Sequence, residues 1–281
     1  MVNFNGKIIN KETANLSINN RGFAYGDSVF ETIRVIHRKI MFWEDHYFRL
    51  MASMRIMRME IPSTFSPEFL EEEIVDLIKA RNLENKPARI KFSVFRKEGG
   101  KYTPQFRDIE YFIQAWEMEN AFYLLNDSPY EIELFKDHYI NSGLLSTIKH
   151  NNRAINVLGS IFASENNYDN CLLLNEKKQV CEALNANFFL VKDNHIKTPP
   201  ITDGALNGIT RKQIIEILKK LPAYSFSEES ISPFELQKAD ELFITNVGIG
   251  IQPVTKYRKK EYEDKVAKDL LAKLNMRARL A

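Results

Sequence analysis

Chemistry of one kind is suggested by three short stretches of the chain. Lys149 lies in Ser146-Thr147-Ile148-Lys149-His150-Asn151-Asn152-Arg153, a polar patch just before a helical pattern. A catalytic lysine needs a cationic or desolvating neighbour, because only its neutral amine forms a Schiff base. Glu182 follows a strand-like run and precedes Ala183-Leu184-Asn185-Ala186-Asn187-Phe188-Phe189, so a carboxylate stands between apolar segments, where it could hold a pyridinium proton. Leu206-Asn207-Gly208-Ile209-Thr210-Arg211 runs straight into a helical pattern. Gly208 permits close backbone approach, Thr210 offers a hydroxyl, and free N–H groups at a helix start attract phosphate. Taken singly, each has a plainer reading: Lys149 as a solvated surface group, Glu182 as a turn residue, Thr210 as a helix cap.

Elements that could position these residues follow from hydrophobic period. Phe4 to Ile9, Ser28 to Ile36 and Lys39 to Trp43 are rich in β-branched and aromatic residues between turn residues and read as a meander. Ser66 to Arg81 reads as a helix, with Ser66 as N-cap, Pro67 at the first position and Leu70, Ile74, Leu77 and Ile78 on one face. Strands are expected at Ala88 to Arg96 and Glu110 to Met118, and the periodicity lapses from about Glu117 to Leu125, which places a domain boundary there. The expected division is residues 1–118, an N-terminal α/β domain, and 119–281, a C-terminal domain. In the second half, Ile155 to Glu165 is helical by spacing, Asn170 to Asn175 and Asn187 to Lys192 are strand-like, Lys212 to Leu221 is an amphipathic helix, Glu241 to Asn246 a buried strand, and Glu261 to Arg277 a closing helix. Mixed strands and helices in both halves place the fold in the α+β or mixed α/β class.

Composition narrows the function. With 281 residues and 44% hydrophobic content the chain can bury a sizeable core, and 39 Lys plus Arg against 37 Asp plus Glu leave no net field to gather nucleic acid or a membrane surface. The N-terminus lacks a basic region followed by an apolar run, and no stretch is long enough to cross a bilayer, so a cytoplasmic small-molecule enzyme is expected. Cys171 and Cys181 are too few for a disulfide framework and read as reduced; His37, His46, His138, His150 and His195 are scattered without metal spacing, so no metal centre is expected.

Together the stretches resemble, over essentially the whole chain, the class IV fold of pyridoxal-phosphate enzymes, which includes branched-chain aminotransferases and aminodeoxychorismate lyases. Arg21-Gly22-Phe23-Ala24-Tyr25-Gly26-Asp27-Ser28-Val29-Phe30-Glu31-Thr32-Ile33-Arg34-Val35 is similar to the family's first motif, a glycine-containing turn feeding a strand that lines the substrate pocket. His46-Tyr47-Phe48-Arg49-Leu50 follows at the usual distance. The resemblance implies pyridoxal 5'-phosphate as cofactor, Lys149 as its Schiff-base lysine, Glu182 on the pyridine nitrogen, Arg49, Ile209 and Thr210 on the phosphate, and Leu206 against the ring. It also implies a homodimer with the active site between the two domains and near the partner subunit.

Within the family, Lys149-His150-Asn151-Asn152-Arg153 resembles the lyase pattern, and Ala154 stands where branched-chain aminotransferases usually carry a tyrosine. Phe95-Arg96-Lys97-Glu98-Gly99-Gly100-Lys101-Tyr102 resembles the lyases' Arg-x-x-Gly-Gly loop. Thr245-Asn246-Val247-Gly248-Ile249-Gly250-Ile251-Gln252-Pro253-Val254 resembles their Thr-Asn run, which adds Asn246 to the cofactor set; aminotransferases commonly have a phosphate-binding threonine where Val247 stands. Tyr25, Phe30, Arg34 and Arg96 are the candidates for contact with substrate, with Arg96 expected on a carboxylate; a solvated cation is the plainer reading of Arg96, and an inward strand residue or ion-pair partner that of Arg34. The expected reaction is conversion of 4-amino-4-deoxychorismate to p-aminobenzoate and pyruvate. The alternative is transfer of an amine from a branched-chain or D-amino acid to 2-oxoglutarate.

Overall fold

The computed structural model describes residues 1–280 and divides into two compact units, Met1–Ala121 with Ile148–Asn152, and Phe122–Thr147 with the chain from Arg153 onward. In the first unit, β1 (Val2–Phe4), β2 (Lys7–Ile9), β3 (Ser28–Ile36), β4 (Lys39–Ile40), β5 (Ala88–Arg96) and β6 (Ile109–Glu117) form an antiparallel sheet in the order β2-β1-β6-β5-β3-β4. The expected single strand from Phe4 to Ile9 is a hairpin, because Asn5 and Gly6 both adopt positive φ (48° and 81°) and reverse the chain in two residues. Side chains alternate across the sheet. Val29, Ile33 and Val35 of β3, Ile90, Phe92 and Val94 of β5 and Ile113 and Ala115 of β6 all enter one core.

Three helices belong to this unit: α1 (Arg21–Tyr25), α2 (Trp43–Ile56) and α3 (Pro67–Ala80). Helix α3 forms as its pattern predicts. Ser66 accepts the amide hydrogen of Phe69, Pro67 opens the first turn, and Leu70, Ile74, Leu77 and Ile78 are fully buried, each worth about 1.5–3 kcal/mol of transfer free energy. Helix α2 replaces the expected strand end at Trp43 and has no counterpart in the hydropathy reading. Its inward positions explain this: alongside Leu50, Met51 and Met54 it buries His46, Arg49 and Ser53, so the apolar stripe is interrupted by polar residues.

The second unit is built on β7 (Glu131–Ile140), β8 (Asn170–Asn175), β9 (Val180–Ala183), β10 (Ala186–Lys192), β11 (His195–Thr198), β12 (Ser225–Glu228), β13 (Glu241–Asn246), β14 (Gly250–Val254), β15 (Lys256–Tyr257) and β16 (Lys260–Glu261). The principal order is β12-β11-β10-β9-β8-β7-β15-β16, and β13 pairs with both β10 and β14. Strands β8, β9 and β14 and most of β10 and β13 are buried, which is why they read as continuous apolar runs without alternation. Its helices are α4 (Leu144–Thr147), α5 (Ala154–Glu165), α6 (Ile209–Leu218), α7 (Pro233–Leu236) and α8 (Lys265–Leu280). Helix α6 starts one turn before the expected Lys212, which puts Ile209 and Thr210 in its first turn.

Among the described residues no helix is long and apolar enough to cross a membrane, and no group of His, Cys, Asp and Glu is arranged to hold a metal ion.

Candidate active site

Lys149 belongs to five residues, Ile148–Asn152, whose flanks lie in the second unit but which pair with the sheet of the first. Strand β4 pairs only with Val35 and Ile36 of β3. Further back along β3, Val29 bridges to His150, the Phe30 N–H donates to the Lys149 carbonyl at 2.8 Å, and the Asn151 N–H donates to the Ser28 carbonyl at 3.1 Å. The Asn151 amide side chain adds a bond to Ser28 Oγ at 2.7 Å. The backbone of the candidate nucleophile is thereby fixed by a sheet ladder rather than carried on a loose loop. Gly26 closes the neighbouring turn at φ 64°, and a Cβ there would stand 3.3 Å from Cβ of Asn152. The Lys149 ammonium lies over an aromatic face: its Nζ is 4.7 Å from the centroid of Phe30, the β3 residue assigned to the pocket from sequence.

Arg49 projects from α2 onto the other face of β3. Its Nε donates to Glu31 Oε1 at 2.7 Å, its Nη2 reaches Oε2 at 2.5 Å, and His46 Nδ1 lies 2.7 Å from the same Oε2. All three side chains are buried. Burial alone would raise the Glu31 carboxyl, but the Arg49 guanidinium and the hydrogen bonds from Arg49 and His46 outweigh it and hold the group at about 2. Burial pushes His46 the opposite way, below its ordinary value, so it serves Glu31 as a neutral donor. Arg49 is therefore locked in one orientation by a bidentate pair. Glu31 and His46 carry no assignment from sequence, although both lie inside the recognised motifs; a buried carboxylate 18 residues from its arginine has no local signal.

The remaining substrate candidates have other partners. Arg96 is 5% exposed; its Nε and Nη2 donate to Asp27 at 2.9 and 3.2 Å, and its Nη1 and Nη2 donate to the carbonyls of Arg58 and Met57 at 3.1 and 2.6 Å. These donors tie β5 to Asp27 and to the end of α2. Arg21 shares Asp27 at 2.9 Å and donates to the carbonyls of Gly99, Gly100 and Lys101, so the Gly99-Gly100 loop is anchored from beneath. Arg34 donates to the carbonyls of Asn120 and Ala121. Tyr25 is partly exposed, with its ring 5.7 Å from that of Tyr102 and the Arg21 guanidinium over it.

In the second unit Glu182 sits mid-strand in β9, where every residue is buried. Its Oε2 accepts the Leu206 N–H at 2.9 Å, and Asn187, its partner across β10, donates from Nδ2 to the Leu206 carbonyl at 2.8 Å. Leu206 is thus gripped at both its backbone groups, which sets the approach to α6. Gly208 follows as N-cap, where no side chain caps the helix. A Cβ at Gly208 would stand 1.9 Å from Asn187 Oδ1, so glycine is required by close approach rather than by backbone angle. The first-turn amides of Ile209 and Thr210 lie at the positive end of the α6 dipole, where they could hold an anion. Thr210 is buried, and its hydroxyl belongs to the same turn. Asn187 is the residue sequence reading missed here, concealed in an apolar run. Asn246 at the end of β13 has Oδ1 accepting the amide hydrogens of Gly248 and Ile249 at 2.8 and 3.0 Å, while its Nδ2 donates to the Asn185 carbonyl at 3.1 Å.

Each cysteine is free and buried, and burial pushes both thiols up, Cys171 to about 11, so neither is a nucleophile at neutral pH.

Comparison with known proteins places this arrangement. A candidate branched-chain-amino-acid aminotransferase of Methanocaldococcus jannaschii is 31% identical over 89% of this chain and 85% of its own length. The crystal structure of a candidate 4-amino-4-deoxychorismate lyase of Legionella pneumophila superposes with a TM-score of 0.85 at 25% identity, covering 95% of this chain and 97% of that one. The branched-chain amino acid aminotransferase of Escherichia coli gives a TM-score of 0.84 at 25% identity, covering 96% and 91%. The family model described as amino-transferase class IV matches residues 28–257, and the chain belongs to that family.

Proposed function

We propose that the protein is a pyridoxal-phosphate-dependent lyase that converts 4-amino-4-deoxychorismate into p-aminobenzoate and pyruvate. One observation weighs for the lyase over the aminotransferase, the turn after β13. There the amides of Gly248 and Ile249 are bonded by the chain's own Asn246, and Val247 brings no hydroxyl to the position where aminotransferases commonly use a threonine.

The donor set fits the cofactor. Lys149 would hold its carbonyl carbon, Glu182 its ring nitrogen, and the Ile209 and Thr210 amides with the Thr210 hydroxyl its phosphate, with Arg49 as a further phosphate ligand and Leu206 beside the ring. Pyridoxal phosphate supplies, when bound, an electron sink for charge that develops at the substrate's amine-bearing carbon. Glu182 keeps the ring nitrogen protonated. Lys149 Nζ takes the proton from the amine-bearing carbon, and a proton delivered to the enolpyruvyl methylene accompanies departure of pyruvate as the ring becomes aromatic. Substrate equals the sum of the two products, so no water or redox partner is consumed.

The relatives named as branched-chain aminotransferases favour a second reading, transamination to 2-oxoglutarate. Incubation of cofactor-loaded protein with 4-amino-4-deoxychorismate, beside a Lys149→Ala variant, decides. Fluorescent p-aminobenzoate lost in the variant supports the lyase; a cofactor-loaded protein that forms no aromatic product, but yields a keto acid from a branched-chain amino acid, supports the aminotransferase.

A further inference from the structure

The face of the first sheet that looks away from α2 and α3 carries three cations, and they are engaged differently. Register places Phe30 beside Ser93, Thr32 beside Lys91 and Arg34 beside Arg89 on β3 and β5, and Arg89 beside Trp116 on β5 and β6. Arg34 donates to the carbonyls of Asn120 and Ala121, and the exposed Arg89 lays its guanidinium over the Trp116 ring at 4.7 Å. Lys91 is half-buried, with its Nζ 5.0 Å from the centroid of Phe30. Among the described residues it makes no ion pair and no hydrogen bond, and burial and then the neighbouring Arg89 push its amine below the ordinary lysine value. Ser93, next to it on the same face of β5, is 2% exposed with a hydroxyl that has no partner, so a second donor in this row lacks an acceptor.

A half-buried ammonium without an acceptor costs free energy that a bound anion would return. The ring of Phe30 also carries Lys149 Nζ at 4.7 Å, so the two side-chain nitrogens lie no more than about 10 Å apart. Resting on the lyase reading given above, we infer that Lys91 binds the ring carboxylate shared by 4-amino-4-deoxychorismate and p-aminobenzoate.

In both molecules that carboxylate stands across a six-membered ring from the amine, which puts its oxygens about 6 Å from the amine nitrogen. One hydrogen bond of about 3 Å then completes the span to an ammonium. A substrate amine brought to Lys149 thus places the carboxylate at Lys91 within the limit that the shared phenyl ring sets. A lysine suits the task because its ammonium is a compact charge with three rotatable donors, which follows the carboxylate as the ring flattens to an aromatic one. The contact is made alike before and after the ring becomes aromatic, so it contributes to KM and not to kcat.

The test is steady-state turnover by cofactor-loaded wild type, Lys91→Met and Lys91→Arg, with p-aminobenzoate and aniline as inhibitors. In Lys91→Met the KM for 4-amino-4-deoxychorismate and the inhibition constant of p-aminobenzoate should rise together, about ten- to a hundredfold, with kcat within about twofold of wild type. Inhibition by aniline, which has the amine but no carboxylate, should not change; a merely structural role of Lys91 would disturb it too. Lys91→Arg keeps the charge and should recover most of the loss, while Lys91→Gln serves as a second neutral variant with the expectation of Lys91→Met. Unchanged KM and p-aminobenzoate inhibition in the neutral variants, or a loss that falls equally on aniline, overturns the inference. So does a rise in KM with p-aminobenzoate inhibition unchanged, which would put a different carboxylate at Lys91. Failure of the underlying reading looks different: cofactor-loaded wild type would then form no p-aminobenzoate at all, and the inference falls with it.

Discussion

Substituting Gly208 by alanine should sever a bond made by a different residue. Backbone angles at Gly208 (φ −73°, ψ 139°) suit any residue, so the substitution carries no conformational strain of its own. Its methyl group, however, would stand 1.9 Å from Asn187 Oδ1, well inside contact distance. Asn187 must rotate away, and its Nδ2 bond to the Leu206 carbonyl at 2.8 Å is lost. The carbonyl keeps the Gly208 N–H at 2.8 Å, so the cost is that of one lost hydrogen bond, about 0.5–1.5 kcal/mol. Leu206 is then held by Glu182 and by the Gly208 N–H of its own turn, with no side chain of β10 on its carbonyl, and the start of α6 loosens. Thermal unfolding should show that loss directly, and a spectroscopic cofactor titration should show about tenfold weaker binding. Asn187→Ala alone should lose the same bond and give a similar penalty. The double variant is the decisive member, because an alanine side chain in place of Asn187 has no amide oxygen for the new methyl group to meet. It should resemble Asn187→Ala rather than the sum of the two singles, a coupling of the full size of the Gly208→Ala effect. Additive penalties, or a Gly208→Ala protein indistinguishable from wild type, would refute the assignment of Asn187 as the group that fixes Leu206.

Other expectations follow from the same geometry. Glu31, held at about 2 against an ordinary 4.5, contributes stability that is complete above pH 4.5 and lost as pH falls toward 2, about 3 kcal/mol in all; acid unfolding of Glu31→Gln should lack that part of the pH dependence. The same variant at neutral pH leaves the Arg49 guanidinium without its carboxylate and should be less stable by about 3–5 kcal/mol in denaturant titrations. Arg96→Met should lower thermal stability while leaving the KM of residual enzyme nearly unchanged, whereas a rise in KM of about a hundredfold with stability intact would support a substrate role. Thr210→Val should weaken cofactor binding, read by absorbance titration, about tenfold without a matching fall in melting temperature.

Much of the fold is legible where one local rule suffices. Helix α3 announces itself through Ser66, Pro67 and four apolar residues on one face, and strands β3, β5 and β8 through their β-branched and aromatic runs. Helix α2 is not legible, because His46, Arg49 and Ser53 face inward to serve a carboxylate on a neighbouring strand, and hydropathy cannot distinguish a buried polar residue from an exposed one. In the candidate site, Lys149, Glu182, Leu206, Ile209 and Thr210 stand out because they match family motifs in their order along the chain. Asn187 and Glu31 do not, since each acts through a partner brought near only by strand pairing or packing. The partner of Arg96 is hidden for the same reason: Asp27 is 69 residues away.

The pairing of residues 148–152 with β3 bears on how the polypeptide matures during synthesis. When Ala121 has left the ribosome, the sequence of the first unit is complete except for the segment that caps Ser28 to Phe30. About thirty further residues must emerge before that stretch of β3 acquires its ladder partner, and until then its backbone donors and acceptors form an open strand edge. A nascent chain halted in this interval, or a gene fragment ended near residue 121, would carry an adhesive edge at the place where the mature protein carries the proposed Schiff-base lysine. Arrival of residues 148–152 would close that edge and, on the proposed function, deliver Lys149 in the same event.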